Sequence, residues 1–162
     1  TQQLAQRRIR HLQLLLRDGL ESVTVAIWDS THELRIHHQI GRRRPLNAGA
    51  SGKVLLAWAE PELQAAVLAD ILPRFTPRTT SDPAALRAQL EGIRASGYAL
   101  SLSEVPHDVV AIAAPVRDTT GRVVASLSMS LPQSRAPRSL DELALAIRAE
   151  AMALSGELGW RG

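Results

Sequence analysis

The sequence contains no cysteine, which excludes disulfide bonds, thiolate metal sites and cysteine nucleophiles together. It also has no run approaching the roughly 18 consecutive apolar residues that a membrane-spanning helix needs. Its start lacks the charged-then-apolar pattern of a secretory signal. These absences lead us to expect a cytoplasmic protein without a membrane span.

Lysine is nearly absent too, since Lys53 is the single lysine among 19 basic residues and the rest are arginines. The net charge is only +3, and the arginines are scattered apart from short groups at Arg7–Arg10 and Arg42–Arg44. A domain that binds nucleic acid usually concentrates basic residues on one face or in a recognised motif. The pattern therefore favours a solvated basic surface over direct contact with DNA.

The chain of 162 residues, 45% of them apolar, is long enough to bury the core of a single compact domain. It begins inside a helical pattern with Thr1, so we expect that another segment precedes it. We predict a helix over residues 1–18, rich in helix formers and ended by the turn Asp18-Gly19. The apolar positions spaced for one face of this helix are Leu4, Ile9, Leu12 and Leu16.

Hydrophobic periodicity and turn residues predict the remaining elements. In chain order these are strands over residues 22–28 and 33–40, helices over 54–59, 61–70 and 83–96, strands over 109–117 and 122–131, and a helix over 139–160. Strands joined by tight turns pair antiparallel. The order therefore predicts an α+β fold in which helices flank a central antiparallel sheet.

The late hairpin predicts two unlike faces of this sheet. An even-numbered turn pairs Ala111 with Ser128, Ala113 with Ser126 and Val109 with Ser130. One face is then apolar and forms a core: Val110, Ile112, Ala114, Val116, Val123, Ala125, Leu127 and Met129. The other face carries alanines and serines, which suit either the floor of a ligand pocket or a closely packed helix.

The passage from Ala50 to Lys53 is a glycine-containing turn that opens a helix. Free backbone N–H groups and the positive end of the helix can receive a carboxylate or a phosphate there. It is not a nucleotide-binding P-loop, because Asn47 stands where that motif needs glycine and Val54 where it needs serine or threonine. An ordinary helix start explains the passage equally well.

No pattern in the sequence predicts an enzyme. Glu104, His107 and Asp108 cluster in one loop, but the sequence has no G-x-S-x-G nucleophile elbow, and we interpret them as solvated loop residues. His37 and His38 are adjacent on a predicted strand, so they face opposite ways and cannot chelate one metal ion. We expect no catalytic residue, no metal site and no cofactor.

Four segments together resemble the IclR family of bacterial transcription regulators. Residues 41–57, GRRRPLNAGASGKVLLA, are similar to the family stretch G…PLHATA.GKALLA. The resemblance continues through residues 72–101, 112–116 and 121–125, in the family's order and spacing. It covers roughly residues 20–160.

This resemblance implies a GAF-like effector-binding domain over residues 20–162, which binds a small organic acid or related metabolite. Residues 1–19 would be the linker helix from a missing N-terminal winged helix-turn-helix domain, through which alone the protein contacts DNA. Members of the family are homodimers, or homotetramers built from dimers. The other possibility is a GAF-like sensing module of another signalling protein without a DNA-binding partner domain, which the segment at residues 41–57 argues against.

The resemblance also implies a set of effector-binding positions. They are Ala50 and Ser51 at the helix start, Ser128 and Ser130 on the late strand, Ser101 where the family has an acidic residue, and Ala111 where it has a cysteine. The last two positions depart from the family pattern. We therefore expect a pocket that is roomier and less polar at that end, which favours a larger or more apolar effector.

Overall fold

The computed structural model describes residues 11–29, 39–105 and 108–162. The strands are β1 (His11–Asp18), β2 (Glu21–Asp29), β3 (Arg43–Pro45), β4 (Ala99–Leu102), β5 (Val109–Arg117) and β6 (Val123–Pro132). The helices are α1 (Ala50–Ala57), α2 (Pro61–Ala69), α3 (Pro83–Ser96) and α4 (Asp141–Glu157). The strands form one antiparallel sheet in the order β3-β2-β1-β6-β5-β4. The predicted α+β class is confirmed.

The helix predicted over residues 1–18 is wrong for residues 11–18, which form β1. This strand lies inside the sheet, between β2 and β6. Leu12 packs in the core on one face while Leu15 packs in the core on the other. A strand that is buried on both faces lacks the alternation of apolar and polar residues by which a strand is recognised in a sequence. Its pairing with the neighbouring strands overrides the helix propensity of leucine and glutamine. Residues 11–18 thus belong to the sheet rather than to a linker, and residues 1–10 lie outside the described ranges.

The strand predicted over residues 33–40 lies almost wholly outside the described residues, as do His37 and His38. The other predicted elements are present with small shifts of their ends. The short strands β3 and β4, which give too few residues for a periodic pattern, were not predicted.

The hairpin of β5 and β6 has a register two residues away from the predicted one. Its pairs are Ala111 with Ser130, Ala113 with Ser128, Pro115 with Ser126 and Val109 with Pro132. The turn is closed by the Asp118 N–H, which donates to the Arg122 carbonyl at 3.0 Å, and this odd-numbered loop shifts the pairing by one residue. A bulge beside Val116 shifts it by one more. Because the two shifts add up to two residues, each side chain stays on the face of the sheet that was predicted for it.

Helices cover both faces of the sheet. On the predicted core face, Ile112 and Leu127 pack against Ala144 and Ile147 of α4. All the residues predicted for this face are buried except Val123, which lies beyond the bulge. The opposite face is covered by α1 and α3. Across the described ranges, no helix is both long and apolar enough to cross a membrane.

Candidate functional site

A cavity lies between the start of α1 and the sheet, and every predicted site residue lines it. These residues are Ala50, Ser51, Ser101, Ala111, Ser128 and Ser130. The sheet register explains why distant positions meet here. Ala111 on β5 pairs with Ser101 on β4 and with Ser130 on β6. Ser128 lies two residues before Ser130 on β6 and therefore on the same face of the sheet. Their part in binding stays a prediction.

Three serines give the floor of the cavity its chemistry. Ser101 is 4% exposed, Ser128 2% and Ser130 5%, and within the described part of the chain none of these hydroxyls makes a hydrogen bond. The residues are buried, but their hydroxyl oxygens are accessible, since the fully buried unpaired polar side-chain atoms in the described ranges are Asn47 Oδ1 and Ser126 Oγ. The floor therefore offers donors and acceptors that a bound molecule can satisfy.

The sequence left two interpretations of this alanine- and serine-rich face open, the floor of a ligand pocket or a surface against which a helix packs. The structure shows one alanine in each role. Ala113 is fully buried in the core beneath α1, together with Val54 and Leu90. Ala111, one cross-strand row away, lines the cavity. The face is therefore both a helix-packing surface and a cavity floor, and small side chains serve each purpose.

The start of α1 forms the roof. Gly49 precedes the helix with φ 80°, no side chain caps it, and its first turn holds no acidic residue. The N–H groups of Ala50, Ser51 and Gly52 in this first turn have no intrahelical acceptor, and these three residues line the cavity. Gly52 is required by close packing, since a Cβ there would lie 3.0 Å from the Leu46 carbonyl oxygen.

A buried ion pair fixes this roof in place. Lys53 Nζ donates to the Glu104 carboxylate at 2.7 Å, with the two side chains 2% and 9% exposed. The same carboxylate accepts from the Gly49 N–H at 3.4 Å. Burial lowers the pKa of Lys53, and the charge of Glu104 partly opposes that shift. Glu104 is therefore not the solvated loop residue that we expected.

The ion pair also anchors the loop that follows β4. Thr79 Oγ1 donates to the Glu104 carbonyl, and Thr76 Oγ1 donates to the Ser103 carbonyl at 2.6 Å. Val105, the next residue of this loop, lines the cavity. The helix start and one wall of the cavity are thus held by a single polar network.

Comparison with known proteins identifies the family. A family model described as bacterial transcriptional regulator IclR C-terminal matches residues 1–156. The chain belongs to the IclR C-terminal family. One relative, the HTH-type transcriptional regulator KdgR of Escherichia coli K12, is 35% identical over 152 residues, which are 93% of this chain and 57% of the relative. The chain thus spans little more than half the length of that regulator.

Solved IclR structures agree with this fold. The C-terminal domain of E. coli KdgR superposes with a TM-score of 0.85 at 31% identity, covering 98% of this chain and 93% of that one. An IclR homolog complexed with 4-hydroxybenzoate, from Microbacterium hydrocarbonoxydans, gives 0.86 at 29% identity over 96% of this chain and 64% of that one. The predicted resemblance to the IclR family is confirmed.

The two departures from the IclR pattern are neighbours in the sheet. Ser101 pairs with Ala111 across β4 and β5, so both fall at the same end of the cavity. Ser101 keeps one hydroxyl where the family pattern has an acid, and Ala111 keeps no polar atom on its side chain. The consequence for the size and polarity of the effector stays a prediction.

The sequence did not predict the cavity-lining residues on β1, on β2 and in the segment that leads into β3. The additional polar lining residues are Gln13, Ser22, Thr24, Gln39, Arg42 and Arg44. Gln13 was missed because β1 was interpreted as a helix. The two arginines were interpreted as part of a solvated basic run, although their spacing of two residues is the signal of a shared strand face.

These arginines make the cavity electropositive. The described lining contains Arg42 and Arg44 but no aspartate and no glutamate. Burial, together with the charge of Arg42, lowers the pKa of Arg44 to about 10, which leaves the group protonated at neutral pH. The described lining also contains no histidine.

Proposed function

We propose that this domain binds a small organic acid as the effector of an IclR-type regulator. In this proposal it also mediates oligomerisation, and the regulator contacts DNA through an N-terminal domain outside the present sequence. The observation that carries the proposal is the cavity itself: it is lined by the unpaired hydroxyl groups of largely buried serines and by an uncapped helix start.

A carboxylate fits both surfaces of this cavity. Its oxygens accept hydrogen bonds, and the roof presents the N–H groups of Ala50 and Ser51 at the positive end of α1. Ser128 and Ser130 supply hydroxyl donors from the floor without the desolvation cost of a buried charge. A structural relative is complexed with 4-hydroxybenzoate, itself a small organic acid, which supports the same class of ligand here.

The polar network around the cavity offers a route by which the effector changes the domain. A ligand at the start of α1 contacts the helix that carries Lys53, and Lys53 holds Glu104 and the loop of Val105. A ligand that prefers one arrangement of this loop shifts the domain toward it. In the full regulator, that shift would bias the arrangement of the attached DNA-binding domains.

A thermal-shift screen tests this proposal. Aliphatic, aromatic and sugar carboxylates, with neutral sugars and lactones as the comparison set, are each added to the purified chain. A ligand at about 100 times its dissociation constant adds roughly 2.7 kcal/mol, which raises the melting temperature of a domain this size by about 5–10 °C. We expect at least one carboxylate to do so. A well-folded chain that no compound stabilises would contradict the proposed function.

A further inference from the structure

Two arginines enter the cavity from the edge of the sheet opposite to Ser101. Arg44 pairs with Ser22 across β3 and β2, and the Arg42 carbonyl accepts from the Thr24 N–H at 3.1 Å. Ser22 and Thr24 are buried and line the cavity. Residues opposite each other on neighbouring strands share a face. Arg42 and Arg44 therefore project onto the cavity face.

Arg43, which lies between them in the sequence, has carboxylate partners and serves as a comparison. Its guanidinium lies on the outer face and forms ion pairs with Asp18 and with Glu21, the latter at 3.2 Å. The guanidinium groups of Arg42 and Arg44 have no such partner within the described residues. A half-buried positive charge beside a second one is unfavourable unless an anion accompanies it. The missing carboxylate is one that a ligand can bring.

The arginines and the start of α1 are two separate places for negative charge. Arg44 is on β3 and Ser128 and Ser130 are on β6, three strand intervals away. At about 4.8 Å per interval this is roughly 14 Å along the sheet, shortened by the reach of the arginine side chain. A short chain with an anionic group at each end can reach both places at once.

The surface between the two places carries polar side chains and no aromatic ring. Gln13 and Thr24 lie there on the cavity face beside the apolar Leu15, and the lining within the described ranges contains no Phe, Tyr or Trp. Hydroxyl groups along a ligand chain match such a surface better than an aromatic ring does. The apolar end expected near Ala111 lies on β5, beyond Ser130 as seen from the arginines, and is compatible with this.

We propose, on the basis of the proposed function, that the effector is a hydroxylated dicarboxylate. One carboxylate binds the first turn of α1 and the other binds Arg44, with Arg42 beside it. Arg44 is then the specificity-determining residue that distinguishes a dianion from a monoanion. The planar guanidinium of arginine suits this task because it can donate two parallel hydrogen bonds to one carboxylate.

Calorimetric titration with three six-carbon compounds tests the charge requirement. Glucarate, gluconate and glucitol share a hydroxylated chain and carry two, one and no carboxylates. We expect glucarate to bind at least about tenfold more tightly than gluconate, and glucitol not to bind, because each carboxylate gains charge-assisted hydrogen bonds. Arg44→Met should weaken glucarate binding by about 10- to 100-fold and remove most of its advantage over gluconate.

Arg43→Met is the matched control, since it removes the same charge from the outer face of the same strand. It should leave the affinity for glucarate unchanged. Arg44→Met should melt no lower than the parent without ligand, because it relieves a repulsion between like charges, so weaker binding by this variant does not reflect unfolding.

Equal binding of glucarate and gluconate, no binding of glucarate, or an equal loss in both arginine variants would overturn the inference. These outcomes are distinct from failure of the proposed function. If the thermal-shift screen yields a monocarboxylate whose effect survives Arg44→Met, the domain still senses an organic acid and the dianion assignment is wrong. If no compound of any class stabilises the chain, the proposed function itself fails.

Discussion

Tryptophan in place of Ser128 is expected to abolish binding of every effector that stabilises the parent chain. Ser128 is 2% exposed and lies on the cavity floor, across from the start of α1. An indole ring there occupies the space that the ligand needs. The measurement is calorimetric titration of both chains with the strongest compound from the thermal-shift screen.

Val124→Trp is the control for this variant. Val124 lies on the same strand, is 39% exposed and does not line the cavity, so the added ring should leave the affinity intact. Overpacking at Ser128 costs about 1–3 kcal/mol of stability, which urea unfolding will measure. If that variant does not fold, Ser130→Leu makes the same test with a smaller side chain. Undiminished binding by a folded Ser128→Trp or Ser130→Leu chain would show that the site is elsewhere.

Loss of the Glu104 carboxylate is expected to destabilise the fold strongly. Glu104→Leu leaves the ammonium group of Lys53 buried without its counter-ion, and breaking such a pair typically costs about 3–5 kcal/mol. Lys53→Met should cause a similar loss by leaving the carboxylate unpaired. The double variant replaces both charges with apolar groups, and we expect it to recover most of the stability. Urea unfolding of the four chains gives the coupling free energy directly.

Arg122→Met provides the exposed comparison. Arg122 contacts Glu60 at 3.1 Å, but the two side chains are 72% and 48% exposed, and solvent screens such pairs. Its loss should change stability far less than Glu104→Leu. A double variant of Lys53 and Glu104 that is as unstable as the two single losses added together would contradict the coupling.

The late hairpin shows what a sequence pattern can predict reliably. The division into an apolar face and a small polar face follows from the period of two in a strand, and the structure confirms it. The register does not follow, because it depends on a turn length and a bulge beside Val116 that no hydrophobic pattern encodes. The faces survived because the two deviations sum to an even number of residues.

The error in β1 has a different cause. Residues 11–18 are rich in leucine and glutamine, and local propensity favours a helix. The segment is nevertheless a strand because it pairs with β2 and β6. These pairing partners cannot be recognised from the local sequence of residues 11–18. The same error hid Gln13, because a residue placed on a linker helix is not considered for a cavity.

Only part of the candidate site was predicted from the sequence. Resemblance to the IclR family brought six positions to one cavity, including Ala50, Ser101 and Ser128, which are far apart in the sequence. It gave no signal for Arg44. The family segment does not specify that position, and a run of arginines resembles ordinary surface charge until the facing of alternate residues is known.

A crystal structure of the chain with its tightest carboxylate bound is the decisive test of the proposed site. We expect the ligand in the cavity, with one carboxylate within hydrogen-bond distance of the N–H groups of Ala50 and Ser51. We also expect hydrogen bonds between the ligand and the hydroxyls of Ser128 and Ser130. A ligand bound at any other surface, with these groups left unengaged, would contradict it.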